Sequence, residues 1–598
     1  MTKTLTMIYF TIIILSLIAL FQSNYLTFTG DNYRLIEATE KALIIGSKNM
    51  VFNISLDTFE LNAKIEWISD ENNTNLCIIK GMNGSECQNF INILTKNEKG
   101  EVFICGTYAY NPKCAIIINN EIINETENNL LSSYNPNENS ILIYVDEDIY
   151  AASFAGILHT QSFLRRKGKH QLITDQFNTY IFQKPKFISL FDYGEYVYIL
   201  FEEVGVESIH TDHIGYPRIA RVCKNDNGSY INKNNWTSFI KTRLTCSNNS
   251  IHFNRLQSTS KLINGNYNNI SFVSFYGIFT TSFAHLFGSA ICMFSLHDID
   301  NNFNGKFKDS NSMLPISISE TPKPRPGICV NNSQNIPQNN INFIKTNPMM
   351  DKIVHASFYH PITTLIDHYK FNVIAVDEQI LATDNKSYDI IFIGTNNGMI
   401  IKGFNYNMKF KSIDSMQIFD SHMSIINLKI INQQLIIVTD TIIKSIPLYT
   451  CGLKLTCSKC IGNPDPYCAW DINDEKCTHL KYYVNSSFIQ NLNNDFDICL
   501  INPNYINDTD YSTNKTNNDN DYSTNKTDNN YLNSINKTDT DTDISNSNYE
   551  NGKDKHFTIC PTTRQHFHTL DLNRCDNLNC VHYLLYLIYI FGISILIC

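Results

Sequence analysis

The chain has 598 residues, with 47 basic side chains against 57 acidic ones and a net charge of -10. It lacks the basic surplus with which proteins meet phosphate backbones, which argues against a nucleic-acid partner. Eighteen cysteines and 15 Asn-x-Ser/Thr sequons point instead to the oxidising, glycosylating secretory pathway.

The N-terminus fits that compartment. Lys3 precedes an uncharged apolar run, Ile8–Leu20. The run is short for a membrane span, which needs ~20 residues. Residues 1–23 therefore read as a signal peptide with cleavage near Ser23.

Residues 24–448 hold many short apolar runs rich in β-branched and aromatic residues. Examples are Ala42–Gly46, Ile141–Val145, Tyr196–Phe201, Tyr388–Gly394 and Gln434–Val438. Turn residues separate them, and long helical periodicity is scarce. A stretch of this length exceeds one sandwich and predicts an all-β barrel or propeller. Ten sequons fall here, at Asn53, Asn72, Asn83, Asn124, Asn227, Asn235, Asn248, Asn269, Asn331 and Asn385, and another follows at Asn485. Within the stretch, "ICGTYAYNPKC" (Ile104–Cys114) sets two cysteines at the mouth of a tyrosine-rich loop that turns on Asn111-Pro112. In an exported chain this predicts a Cys105–Cys114 disulfide. In the loop-entropy model it contributes about 2.7 kcal/mol. A metal site would need a matching Cys/His pair, which the neighbouring sequence does not offer.

From 450 to 500 the cysteine density jumps, with six cysteines between Cys451 and Cys499. So small a unit requires disulfides to hold it together. Residues 501–559 turn to Asn, Asp, Thr, Ser and Lys, with an 11-residue repeat (NDTDYSTNKTN, then NDNDYSTNKTD) and sequons at Asn507, Asn514, Asn525 and Asn536. With almost nothing apolar to bury, this stretch is expected to be a disordered, glycosylated stalk. A juxtamembrane segment, 560–580, leads to the apolar tail 581–598. As a helix, the stretch from Leu584 would rise only about 22 Å, short of a ~30 Å hydrocarbon core. No Lys or Arg follows it. With the polar stretch Asp571–Asn579 before it, the tail reads as a glycolipid-attachment signal, with Asn573, Cys575 or Asp576 as attachment site. A short membrane span is the alternative.

Ile104–Cys114 resembles the Cys-Gly-Thr-x-Ala-x-x-Pro-x-Cys signature of semaphorins, and the similarity continues in order. "IIGSKNMVFNISL" (Ile44–Leu56), "KIEW" (Lys64–Trp67) and "ECQNFINIL" (Glu86–Leu94) precede it. "SYNPNENS" (Ser133–Ser140), "PKFISLF" (Pro185–Phe191), "RIARVCKND" (Arg218–Asp226) and "NNWTSFIKTRLTCS" (Asn234–Ser247) follow. Then come "YGIFTT" (Tyr276–Thr281), "GSAICMFSLHDI" (Gly288–Ile299), "PKPRPGIC" (Pro322–Cys329) and "YDIIFIGTNNGMIIK" (Tyr388–Lys402). "CGLKLTCSKCIGNPDPYCAWD" (Cys451–Asp471) is similar to the plexin-semaphorin-integrin module that follows a sema domain. One departure is Cys460-Ile461, where the family usually carries two adjacent cysteines. Six cysteines then imply three bridges rather than four. Zinc at Cys457 and Cys460 is the rival reading, disfavoured in an exported chain.

The resemblance implies a seven-bladed β-propeller with a small disulfide-rich module. It also implies the pairs Cys77–Cys87, Cys105–Cys114, Cys223–Cys329 and Cys246–Cys292 in the propeller, and Cys451–Cys468, Cys457–Cys499 and Cys460–Cys477 in the module. In function it implies a ligand that binds a plexin-type receptor ectodomain in axon guidance and cell migration, as a homodimer. The ligand would sit at the extracellular face of the plasma membrane, attached through its C-terminal tail. An immune-modulating protein acting on a host receptor through the same fold is the runner-up.

An enzyme would need convergent acids, bases or nucleophiles, and no such motif is found. The reading therefore calls for no catalytic residue, cofactor or metal. The acid runs Glu202-Glu203 and Asp146-Glu147-Asp148 are expected to be solvated loop residues. His355, His360 and His368 are expected in packing or surface roles, and Trp67, Trp236 and Trp470 in the core. Arg165-Arg166-Lys167 is expected on a strand end rather than at a processing site. The receptor-binding residues are not identified by the sequence.

Overall fold

The computed structural model describes residues 26–493 and Cys499, apart from 128–129, 157–160, 206–214, 232, 249, 268, 283–286, 311–315 and 481–487. The expected signal peptide (1–23), stalk, juxtamembrane segment, apolar tail and Asn485 lie outside the described residues. Among the described residues no helix is long and apolar enough to cross a membrane.

Seven antiparallel sheets form the blades of a β-propeller. Blade one comprises Leu35–Ala38, Ala42–Gly46, Met50–Ser55 and Leu61–Glu66, and blade two Ile91–Lys96, Val102–Gly106, Lys113–Ile118 and Glu121–Glu127. Blade three runs from Ile141–Val145 to Leu172–Ile173, and blade four from Lys186–Tyr193 to His252–Phe253. Blade five runs from Arg255–Thr259 to Thr363–Ile366, and blade six from Phe371–Leu381 to Lys409–Gln417. Blade seven takes three strands from Asn427–Ile431 to Ile442–Pro447 and its fourth, Leu26–Thr29, from the other end of the propeller sequence, with Leu26 opposite Ser445. This pairing closes the ring and covers what would otherwise be an open sheet edge.

The position of a strand within its blade explains its sequence. Middle strands have neighbouring blades on both faces, so they read as continuous apolar runs rather than alternating ones. Ala42–Gly46, Val102–Gly106 and Gly288–Ser295 are buried at every residue. Outer strands meet water and turn polar, as in Glu121–Glu127 and Lys409–Gln417.

Three elaborations matter. Helix α1 (Glu71–Ile79) lies between blades one and two, and its first turn is capped by Asp70, whose Oδ1 accepts from Asn73 N at 2.8 Å. Hydrogen bonds from Asn73 hold the Asp70 carboxyl below its usual range. Helices α2 (Leu296–Phe303) and α3 (Gln338–Thr346) belong to a long insertion in blade five. The insertion reaches blade four through the parallel pair Leu244–Val354 and the Cys223–Cys329 bridge. The third is the cysteine-rich module, with helix α4 (Cys457–Ile461) and a sheet of Cys468–Asp471, Lys476–His479 and Phe488–Ile489. It packs on blade six, where Lys402 Nζ meets Asp465 Oδ2 at 2.6 Å with both side chains buried. Gln490 adds to this interface. Its Nε2 donates to the carbonyls of Asp465, Pro466 and Cys468, and its Oε1 accepts from Thr383.

Candidate functional site

The tyrosine-rich loop is where sequence signature and geometry meet. Cys105 and Cys114 stand directly opposite each other on blade two, with Cα atoms 4.1 Å apart, and are bridged. Beyond them Tyr108, Ala109 and Tyr110 have φ of 43°, 55° and 59°. Three consecutive non-glycine residues in the left-handed region are costly and persist only where their surroundings fix them. Here Tyr108 N donates to Asn89 Oδ1, Ala109 N to Gln88 O, and Thr107 Oγ1 to Gln88 O. Asn89 Nδ2 continues the chain to Trp67 O at 2.8 Å. Gly106 is required by this arrangement, because a Cβ there would come within 2.0 Å of Asn89 Oδ1. Tyr110 donates to Glu86, and burial together with that carboxylate pushes its hydroxyl up to about 12.

The loop thereby anchors the whole connection from Trp67 to Phe90, including helix α1 and the Cys77–Cys87 bridge. Cys77, Cys87, Ala109 and Tyr110 form one small buried cluster. The anchored segment presents apolar side chains to solvent: Ile68, Leu76, Ile78 and Ile79 are 55%, 43%, 51% and 80% exposed. Exposed apolar groups held on a rigid base are a signature of contact surfaces. Because strands alternate in direction, this connection shares an end of the propeller with all blade-to-blade crossings and all second-to-third-strand turns. Phe287 and Ile366 lie at that same end on blade five. They are exposed and adjacent, with Asp367 N donating to Phe287 O and Lys370 Nζ 4.8 Å from the Phe287 ring. The apolar residues of this end were not singled out in the sequence. The sole local signal for α1 was the Asp70 cap ahead of the Leu76–Ile79 run.

The adjacent acids on blade four correct the expectation of solvation. Glu203 lies in the strand Tyr196–Val204 and is buried. It accepts from Arg218 Nε at 3.0 Å and from Lys241 Nζ at 2.6 and 2.9 Å. Glu202 is buried too, paired with Arg255 at 3.0 Å, and burial raises its carboxyl above the usual range. Burying a charge demands a partner, and these arrive from elsewhere: Arg218 and Lys241 from the next two strands of blade four, Arg255 from blade five. Asp146 and Glu147 do form an exposed two-residue hairpin turn, at φ of 50° and 68°, but Asp148 starts the strand Asp148–Ala155, half-buried, with its Oδ2 3.6 Å from Arg166 Nε. Arg166 is fully buried in the strand Gln161–Lys167, donating to the carbonyls of His170, Lys224 and Asp226 and lying over Trp236. Trp67, Trp236 and Trp470 are buried, whereas His355, His360 and His368 are exposed. Among the described residues no group of three or more His, Cys, Asp or Glu is placed to hold a metal ion.

Five further disulfides are present: Cys223–Cys329, Cys246–Cys292, Cys451–Cys468, Cys457–Cys499 and Cys460–Cys477. Of the sequon asparagines, Asn72, Asn83, Asn124, Asn269, Asn331 and Asn385 are exposed, while Asn53, Asn227, Asn235 and Asn248 are half-buried. Near Asn235 the "KND" and "NNWTS" stretches prove to be one unit. The buried Asp226 carboxylate accepts from Gly228 N, Thr237 N, Thr237 Oγ1 and Ser238 Oγ at 2.7–3.0 Å.

Comparison with known proteins follows this geometry. The family models of the Sema domain and the plexin repeat match residues 256–432 and 450–499. Semaphorin-1A of Tribolium confusum is 31% identical over 495 residues, covering 77% of this chain and 68% of the relative. The chain belongs to the semaphorin family. Semaphorin-1A of Schistocerca americana is 36% identical over 478 residues, 75% of this semaphorin and 65% of the relative, so the chain spans just under two thirds of that protein's length. Among solved structures, a chain of the complex of Drosophila Plexin A with Semaphorin 1b superposes with a TM-score of 0.72 at 29% identity, covering 79% of this semaphorin and 97% of that chain.

Proposed function

We propose that this semaphorin is an extracellular guidance ligand that binds a plexin-type receptor ectodomain and acts by binding alone, without chemistry. The observation that carries the reading is its likeness, across propeller and module together, to a chain of a plexin–semaphorin complex. The apolar end of the propeller, with Ile68, Ile78 and Ile79 on the connection after blade one and Phe287 and Ile366 at the same end of blade five, supports a contact role. The strongest charge cluster, Glu203 with Arg218 and Lys241, is sealed from solvent and gives a substrate nothing to reach. The family resemblance further supports a homodimer, which would bring two receptors together and gain avidity without new contacts. Attachment at the extracellular face of the plasma membrane would run through the apolar stretch 581–598, as a glycolipid anchor or a span. Incubating the secreted, tagged protein with a panel of plexin ectodomains tests the function. Saturable capture of at least one is expected, and capture of none would overturn the assignment.

A further inference from the structure

Helix α1 carries its own sequon. Asn72-Asn73-Thr74 occupies its first turn, just inside the Asp70 cap. Asn73 is pinned there: its N and Nδ2 donate to the Asp70 carboxylate, and its Oδ1 accepts from Asn111 Nδ2. Asn72 is exposed and takes no part in the cap. At about 3.6 residues per turn, Asn72, Leu76 and Ile79 fall on one face of the helix. Cys77, the buried residue of α1, is on the opposite side. Leu76 and Ile79 are 43% and 80% exposed. Asn72 therefore heads an open apolar stripe that runs roughly 10 Å along the helix. Helical side chains lean toward the N-terminus, so Leu76 and Ile79 tilt toward the asparagine.

We propose that the N-linked glycan on Asn72 lies over this stripe, its root N-acetylglucosamine units against Leu76 and Ile79, and so gates the face to a partner. The gate rests on the reading of this connection as a contact surface, and the cover does not. Attachment exchanges one Nδ2–H of Asn72 for a bond to the sugar's anomeric carbon. The lipid diphosphate of the oligosaccharide donor leaves, and the proton passes to a base of the transferase. The ring C–H groups of the sugar then meet the two apolar side chains while its hydroxyls stay in water. Covering exposed apolar surface is favourable, and the tether keeps the sugar's local concentration high. Asn83, the second sequon of the connection, is exposed as well. It follows the end of the helix, beyond a turn at Gly81 with φ of 85°, and is not on the stripe. A receptor that uses Ile79 must displace the sugar, so chains without it bind more tightly.

The test uses the full chain secreted from animal cells. Glycopeptide mass spectrometry should find Asn72 occupied. Hydroxyl-radical footprinting, which needs no receptor, should show Leu76 and Ile79 oxidised several-fold more in Asn72→Gln, with Ile366 unchanged. Thr74→Ala deletes the same sequon while keeping Asn72, and should give the same result. An unoccupied Asn72, equal oxidation with and without the glycan, or loss of protection in Asn83→Gln instead would overturn the proposal. With a plexin-type ectodomain that binds the unaltered protein, Asn72→Gln should bind several-fold more tightly and Asn331→Gln equally. Unchanged affinity in Asn72→Gln would overturn the gate. If the stripe opens in Asn72→Gln but neither protein binds any plexin-type ectodomain, the cover is supported and the receptor reading alone fails.

Discussion

Replacing Asp465 with Ala should detach the cysteine-rich module from blade six. Asp465 and Lys402 are both about nineteen-twentieths buried, and their contact at 2.6 Å is the most enclosed charge pair between module and propeller. Asp465 Oδ1 also accepts from Tyr467 N at 3.1 Å, and Lys402 Nζ lies 4.9 Å from the Tyr467 ring centre. The substitution leaves the buried Lys402 ammonium against an aromatic face without its 2.6 Å partner. Removing one partner of a buried pair costs about 3–5 kcal/mol, most of it for the charge left behind. That is a large share of the roughly 5–15 kcal/mol that keeps a protein folded. Lys402→Met should cost a similar amount, and Lys402→Met with Asp465→Leu together much less than the sum, since an apolar pair of similar volume is often neutral. Denaturant midpoints of the unaltered protein, Lys402→Met, Asp465→Leu and the double variant give the coupling energy. Additive losses would refute the reasoning and leave the pair a bystander at an interface held by Gln490 and apolar packing.

Other predictions follow from the same geometry. Gly106→Ala should reduce secretion, because its Cβ would displace Asn89 and with it Tyr108 and Trp67; normal yield and stability would show that the loop can yield. Cys105→Ser should cost ~2–5 kcal/mol and leave Cys114 free to mispair, read as retention and disulfide-linked aggregates on non-reducing gels. Glu202→Gln should stabilise the protein at neutral pH. The raised native carboxyl makes the charged form unfavourable there, so the penalty is absent at pH below the unfolded carboxyl range, grows as pH rises through it, and is complete above the native value. The gain from Gln should shrink as pH falls towards 4, read from denaturant midpoints across pH; a gain independent of pH would contradict the burial argument.

How legible all this was depended on whether the relevant contacts were local in sequence. Strand-rich periodicity and turn residues are local signals, and they reach as far as an all-β barrel or propeller; the seven blades followed from the resemblance to semaphorins. The Ile104–Cys114 loop is local too, though the reason for Gly106 lies in Asn89. Glu202-Glu203 was misread because adjacency along the chain suggested a solvated pair, whereas the partners of Glu203, Arg218 and Lys241, come from other strands of the blade. Nor does the sequence distinguish the buried isoleucines of Ala42–Gly46 from the exposed Ile78 and Ile79. Both are apolar runs, and only the neighbouring blades decide which is covered.

Equilibrium binding of the secreted protein to an immobilised plexin-type ectodomain tests the central claim most directly, with Ile79→Asp and Ile366→Asp measured alongside. Saturable binding is predicted, weakened about tenfold or more, which corresponds to about 1.4 kcal/mol, by at least one of the two variants while secretion and stability are unchanged. Failure to bind any plexin-type ectodomain, by a protein that is folded and fully disulfide-bonded, would contradict the account.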